Sequence, residues 1–281
     1  MAARTAARRM AFERSERVGQ TVGYRVRFEE AVSHETRILV VTEGVFLRRL
    51  QEDPFLDGIA IVVFDEFHER RLDSDLALAM VRRVQQTVRP DLKIVAMSAT
   101  MDPAGIARYL GDCPVVESEG RLHPIRIQYL RRTERQPIAV MAANGVEQIL
   151  PQSEGDVLVF LPGVGEILKS RNELATLARR HNLAVLTLFG DMSAEDQDRV
   201  LVPGEQRKVI LSTNVAETSV TIEGVTAVVD TGLARQMQFD ADIGLDRLEL
   251  TQVSKASTDQ RAGRAGRTQP GICLRLWDEA T

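Results

Sequence analysis

The sequence predicts an α/β fold built as two successive parallel-sheet units, and three observations carry that prediction. Short Val- and Ile-rich runs recur along the chain, continuous in apolar character rather than alternating. Stretches with helical apolar spacing separate them. The runs also fall into two sets, divided by a basic, proline-containing segment. Continuous apolar strands joined by helices are the pattern of a parallel sheet covered on both faces. The length of 281 residues suits about two domains.

The opening stretch, MAARTAARRMAFERSERVGQ, is Arg-rich and reads as a helix. Glu13 and Glu16, and the lack of an apolar core, speak against a targeting peptide, so a cytoplasmic setting is expected. RILVV (37–41), IAIVVF (59–64) and KIVAM (93–97) form the first set of strands. Between the last two, SDLALAMVRRVQQ (74–86) has helical spacing, with Asp73, Ser74 and Asp75 suited to its N-terminus. RLHPIRIQYLRRTERQP (121–137) reads as the connecting segment, and divides a domain of residues 1–130 from one of residues 131–281. VLVFL (157–161), AVLTLF (184–189), KVILS (208–212) and TAVVD (226–230) form the second set, with VGEILKSRNELATLARRH (164–181) as one amphipathic helix.

Composition narrows the function classes. Hydrophobic content of 44% and charged content of 27% are those of a soluble globular chain. No apolar run approaches the ~20 residues that span a bilayer, so no membrane partner is expected. Cys113 and Cys273 lie far apart and in no metal-ligand spacing, which suggests a reducing compartment and no disulfide framework. A net charge of −4 gives no global basic field for nucleic acid. Backbone N–H groups and a few arginines can nevertheless hold phosphates.

In parallel α/β sheets, ligands collect at the carboxyl ends of the strands. The unusual segments of this chain fall there. Thr42-Glu43-Gly44 follows the first run, Asp65-Glu66-Phe67-His68 the second and Ser98-Ala99-Thr100 the third. Pro162-Gly163 and TNVAETSVTIEG (213–224) follow runs of the second set. DQRAGRAGR (259–267) sets three arginines among small residues, which is expected to leave their guanidinium groups unhindered. The chemistry that needs these groups together is phosphoryl transfer from a nucleotide. Asp65 would hold Mg²⁺ largely through water, and Glu66 would orient or deprotonate the attacking water. Arg264 and Arg267, three apart on one helical face, would neutralise the transferring phosphate. Each segment alone is bland; their order and their common position at strand ends are not. A metalloprotease is excluded, because Leu72 stands where His68-Glu69 would need a second histidine. No Gly-x-Ser-x-Gly elbow of a nucleophilic hydrolase occurs.

DEFHER, SAT, STNVAETSVTIEGV and QRAGRAGR resemble motifs II, III, V and VI of the superfamily 2 DEAH/DExH-box helicases, and of their HrpB-like branch in particular. TEG is similar to motif Ib, LVFLPGVGEI to motif IV, and AARTAARRMA…VGQTVGYRVRFE to the end of motif Ia and the stretch after it. The resemblance covers essentially the whole chain. It implies two tandem RecA-like lobes, the first incomplete, with ATP between them and single-stranded RNA as partner. It implies that Asp65 and Glu66 serve Mg²⁺ and water and that His68 links the nucleotide site to motif VI. It further implies that Ser98 and Thr100 couple hydrolysis to lobe movement, and that Gln260, Arg264 and Arg267 reach the γ-phosphate. Thr221 and Glu223 are implied at the ribose, and Arg9 against the adenine. Arg27, Thr42, Gly44, Thr213 and Asn214 are implied along the nucleic-acid backbone.

One part of the pattern is missing. The phosphate-binding loop needs Gly-x-x-x-x-Gly-Lys-Ser/Thr, and these 281 residues contain no Gly-Lys dipeptide. In the family that loop precedes motif Ia, so the chain is expected to be a piece truncated at both ends. It is also expected to bind ATP weakly and hydrolyse little of it.

Overall fold

The structure, a computed structural model, describes residues 2–99, 103–118, 123–130, 136–202, 204–217, 222–240 and 244–279. It divides into two compact units, Met1–Ser118 and Glu119–Thr281. That division lies upstream of the 130/131 boundary suggested by composition.

The first unit begins with helix α1 (Ala2–Glu13), whose Ala7 and Ala11, four apart and so on one face, pack against Val22 and Tyr24. Those two belong to β1 (Val22–Val26), which pairs antiparallel with β2 (Glu29–Ala31) and parallel with β3 (Ile38–Val41). Neither β1 nor β2 carries an apolar run, and the sequence does not announce them. Helix α2 (Glu43–Glu52) follows β3. A separate two-stranded parallel sheet joins β4 (Ile61–Phe64), through helix α3 (Leu72–Thr87), to β5 (Lys93–Ala96). Helix α4 (Ala104–Tyr109) comes next in the chain.

Leu50 of α2 and Ala77, Leu78 and Val81 of α3 share a core with Val62 and Phe64 of β4. The expectation of a sheet covered on both faces fails here. Alternate strand residues face opposite ways. Val62 and Phe64 are buried, whereas Ile61 and Val63 are 54% and 52% exposed. Helices α2 and α3 cover one side, and on the other Ile61 and Val63 remain about half exposed.

The second unit meets the expectation. Its strands are β6 (Ile125–Tyr129), β7 (Asp156–Phe160), β8 (Ala184–Leu188), β9 (Lys208–Ser212) and β10 (Val225–Asp230), followed by β11 (Leu233–Asp240), β12 (Leu245–Gln252) and β13 (Gly271–Arg275). Six of them form one sheet in the order β6-β13-β10-β7-β9-β8, with every neighbouring pair parallel. Strands β9 and β10 are buried along their whole length, as continuous apolar runs require. Strand β6, which composition assigns to the connecting segment, is an edge strand paired with β13.

The helices of this unit are α5 (Ile138–Ile149), α6 (Val164–Glu173), α7 (Ala175–His181), α8 (Ala194–Leu201) and α9 (Lys255–Gly263). The single helix expected over 164–181 is two, α6 and α7. The break falls at Leu174, which is buried in the core, and Ile167 and Leu177 on either side of it enter the same core. The remaining strands, β11 and β12, pair antiparallel over eight residues as a separate ribbon.

Candidate functional site

Two clusters of the expected residues form, one in each unit. In the first, the ends of β4 and β5 are knitted together. Met97 N donates to Phe64 O at 2.8 Å, and Phe67 N donates to Met97 O at 3.0 Å. Buried Phe67 anchors a 3-10 turn, Phe67–Glu69, directly behind the two acids. Glu66 enters that turn in the left-handed region, at φ 51° and ψ 35°. A non-glycine residue pays about 1 kcal/mol for this conformation, and such strain gathers at working sites. The bend exposes Asp65, whose Oδ1 accepts from Glu66 N at 2.9 Å.

The His68 side chain is only 7% exposed, and its Nδ1 lies 3.5 Å from Glu66 Oε2. The same nitrogen is 3.5 Å from the donating Ala99 N. The DEFH and SAT segments, some thirty residues apart, therefore meet at this ring. One nitrogen serves one partner at a time, because the amide needs its lone pair and the carboxylate its proton. Ser98 is exposed beside the junction, and Thr100 lies outside the described residues.

The donor set is compatible with Mg²⁺. Asp65 and Glu66 offer hard carboxylate oxygens, while no group of three His, Cys, Asp or Glu converges among the described residues. Mg²⁺ is commonly held by one or two carboxylates together with water and substrate phosphates, rather than in an all-protein cage.

In the second unit the cluster surrounds α9 and the 3-10 turn Arg264–Gly266 that follows it. Ser254 caps α9, its Oγ accepting from Ser257 N at 3.2 Å. The α-helix stops at Gly263, so Arg264 and Arg267 do not share an α-helical face as their spacing suggested. The tighter 3-10 turn brings residues three apart into register instead. It also lies close against the sheet. A Cβ on Gly271 would sit 2.3 Å from the Ala265 carbonyl, and one on Gly266 2.8 Å from the His123 carbonyl.

The arginines are not equally free, contrary to the reading that small neighbours leave all three unhindered. Arg267 is exposed, Arg264 is buried and Arg261 is 1% exposed. Arg264 Nε donates to the Glu217 carbonyl at 2.8 Å, and its Nη2 donates to the same oxygen. Arg261 Nε donates to Glu217 Oε2 at 2.9 Å, and its Nη1 to Asp230 Oδ1 at 2.9 Å. The Arg261 guanidinium also lies 4.9 Å from the Phe160 ring centroid. Ser257 Oγ donates to the second oxygen of Glu217. Burial pushes the Asp230 carboxyl above its ordinary range, and the adjacent Arg261 pulls it back down. Arg261, Glu217 and Asp230 were missed as a unit. Their only sequence signal is an arginine in a glycine-alanine run together with two acids in strand-end segments.

The other expected residues are more dispersed. Thr213 is half-buried at the end of β9, and its N donates to Leu188 O at 3.2 Å. Asn214 is exposed and opens the turn Asn214–Ala216, just before Glu217. Gln260 is half-buried on α9, and Glu223 is exposed before β10. Thr221 lies outside the described residues. In the first unit, Thr42 is the N-cap of α2, and Gly44 is exposed with open space where a Cβ would stand. Arg27 is exposed in the β1–β2 turn, its guanidinium 4.8 Å from the Phe28 ring centroid. Arg9 is exposed on α1, with Nε donating to Glu13 Oε1 at 2.8 Å.

Comparison with known proteins fits this arrangement. Residues 4–108 match the DEAD/DEAH box helicase model, and residues 142–269 the helicase conserved C-terminal domain. The chain belongs to the DEAD/DEAH-box helicase family. It is 46% identical over 278 residues to the ATP-dependent RNA helicase HrpB of Escherichia coli (strain K12), an alignment covering 98% of this chain and 34% of that protein. To the probable ATP-dependent RNA helicase DHX34 of Homo sapiens it is 39% identical over 288 residues, covering 98% of this chain and 25% of that one. The crystal structure of the Escherichia coli DEAH/RHA helicase HrpB matches with a TM-score of 0.92 at 46% identity, over 99% of this chain and 36% of that chain. This helicase-family chain thus spans about a third or less of these relatives, and its α/β architecture is RecA-like.

Proposed function

We propose that this chain forms the core of an ATP-dependent RNA helicase, in which nucleotide hydrolysis is coupled to movement along single-stranded nucleic acid. The observation that carries the reading is the cluster at the end of β4, where a strained Glu66 follows an exposed Asp65 and His68 touches the Ala99 amide. Its kinship with proteins named as ATP-dependent RNA helicases supports it. In this reading Asp65 and Glu66 hold Mg²⁺, which supplies charge neutralisation at the phosphates when bound. Glu66 orients the attacking water and takes its proton, and His68 with Ser98 and Thr100 transmits the change. Gln260, Arg264 and Arg267 face the γ-phosphate, while Arg9, Thr221 and Glu223 hold the base and ribose of ATP. Arg27, Thr42, Gly44, Thr213 and Asn214 run along the nucleic-acid backbone, contacts that carry little sequence information. The setting is cytoplasmic, in keeping with two free cysteines and the absence, among the described residues, of any helix long and apolar enough to cross a membrane.

One observation favours a narrower role for these 281 residues. They contain no Gly-Lys dipeptide, so no phosphate-binding loop cradles the β- and γ-phosphates. On this ground the chain itself hydrolyses ATP poorly and acts as an RNA-binding module on helicase lobes. The test measures two quantities on the purified chain: Mg²⁺-dependent ATP hydrolysis with and without oligouridylate, and oligonucleotide binding by fluorescence anisotropy across a salt series. Binding that weakens with salt, with hydrolysis near background, is expected. Strong RNA-stimulated hydrolysis would overturn the impaired role, and absence of binding at low salt would overturn the nucleic-acid reading. Loss of binding to the matching oligodeoxyribonucleotide, which lacks the 2′-OH groups, would favour RNA over DNA.

A further inference from the structure

Glu217 touches the arginine segment at three places. Its carboxylate receives Arg261 Nε on one oxygen and Ser257 Oγ on the other. Its carbonyl receives both Nε and Nη2 of Arg264. It also closes the turn begun by Asn214, with Glu217 N donating to Asn214 O at 2.9 Å. One residue therefore connects the end of the Thr213–Asn214 segment to the start of the 264–266 turn.

The bonds differ in kind. Arg264 is held by a main-chain oxygen, which no substitution at position 217 removes. What places that oxygen is the Glu217 side chain, clamped from behind by Arg261 and Ser257. Arg261 is itself immobilised, being 1% exposed and bonded to Asp230, which is fully buried. A charge-assisted bond to an arginine fixed in this way is a stiff link.

We infer that Glu217 is a positioning residue, whose side-chain clamp sets the place of Arg264 and makes that place respond to nucleic acid bound at Thr213–Asn214. The inference rests on the functional reading above, which assigns those two residues to nucleic acid. A ligand that shifts Asn214 moves the Glu217 carbonyl through three residues of turn, and Arg264 moves with it. The link lies wholly within the second unit.

The test reads Arg264 directly and needs no hydrolysis. The full chain is treated with phenylglyoxal, which modifies accessible guanidinium groups, with and without saturating oligouridylate. Modification at Arg264 is followed by peptide mass spectrometry. In the wild type, binding is expected to change the Arg264 rate by about fivefold, the lower range of ordinary site-to-site coupling. In Glu217→Gln, which keeps size but loses the charge opposite Arg261, Arg264 should react faster in the free chain and become indifferent to RNA. Ser257→Ala removes one donor from the clamp and should reduce the response by about half; it carries the test if the first variant does not fold.

All rates are taken well below each variant's melting midpoint, so that lost stability alone leaves the RNA response intact. A wild-type response retained in Glu217→Gln, or in Ser257→Ala where that variant carries the test, overturns the inference. A wild type that binds RNA with no change at Arg264 overturns it too, and leaves the functional reading standing. A wild type that binds no RNA overturns the functional reading, and this inference with it.

Discussion

Arg261 is the largest fully buried side chain among the described residues and carries a full charge into the interior. It is held there by Asp230 and Glu217, at 2.9 Å each, and by the face of Phe160. Removing one partner of a buried pair is costly because the other charge is left without compensation. Arg261→Met is therefore expected to lower unfolding stability by about 3–5 kcal/mol, read from urea denaturation, with Asp230 left as the uncompensated group. Asp230→Asn made together with Arg261→Met should recover a measurable part of that loss, since it removes the stranded charge. A single Arg261→Met variant as stable as the wild type would show that the pair contributes little.

At the scale of elements, the β11–β12 ribbon depends on a tether. A two-stranded ribbon is marginal in water by itself. Arg235 of β11 makes a two-pronged contact with Glu166 of α6, Nη1 to Oε2 at 2.6 Å and Nη2 to Oε1 at 3.0 Å. The Arg235 bonds hold the Glu166 carboxyl below its usual value of 4.5. A group whose folded value is depressed contributes stability that is present above its unfolded value and lost as pH falls through the folded one. Between about pH 6 and about pH 3, the wild-type urea midpoint should therefore fall more than that of Glu166→Gln, which has no charge to lose. Equal slopes for the two proteins would remove the tether from the account. The ribbon was not legible in the sequence because it carries no continuous apolar run. Met237, Phe239, Leu248 and Leu250 alternate with polar positions and stay largely exposed.

For the whole molecule, the difference between the two sheets is the main consequence. The six-stranded sheet is buried along its central strands, whereas β4 and β5 leave Ile61, Val63 and Val95 open on one face. Exposed apolar strand surface and unpaired edges favour association. Ile61→Thr with Val63→Thr should lower light scattering on concentration and reduce binding of an apolar dye. The melting midpoint should shift little, because these side chains are already about half exposed. Unchanged scattering with a lowered midpoint would mean that the face is covered in solution. The strands read correctly from sequence were the continuous apolar runs, β3, β4, β5, β7, β8, β9 and β10. Strands β1, β2, β6 and β13 were missed because they are short, polar or bounded by Pro and Gly, and owe their strand state to pairing.

The chain by itself determined the fold class, and also that Asp65 and Glu66 stand at the carboxyl end of a strand. Both follow from local apolar patterning, which marks a strand and its end whatever distant residues do. Only the tertiary structure decided which charges are buried. Arg261 meets Glu217 and Asp230 across 44 and 31 residues of sequence, so no local pattern distinguishes it from exposed Arg267. The open face of β4 was decided in the same way. An apolar strand residue is buried only where another element packs over it, and a run such as IAIVVF has the same composition either way.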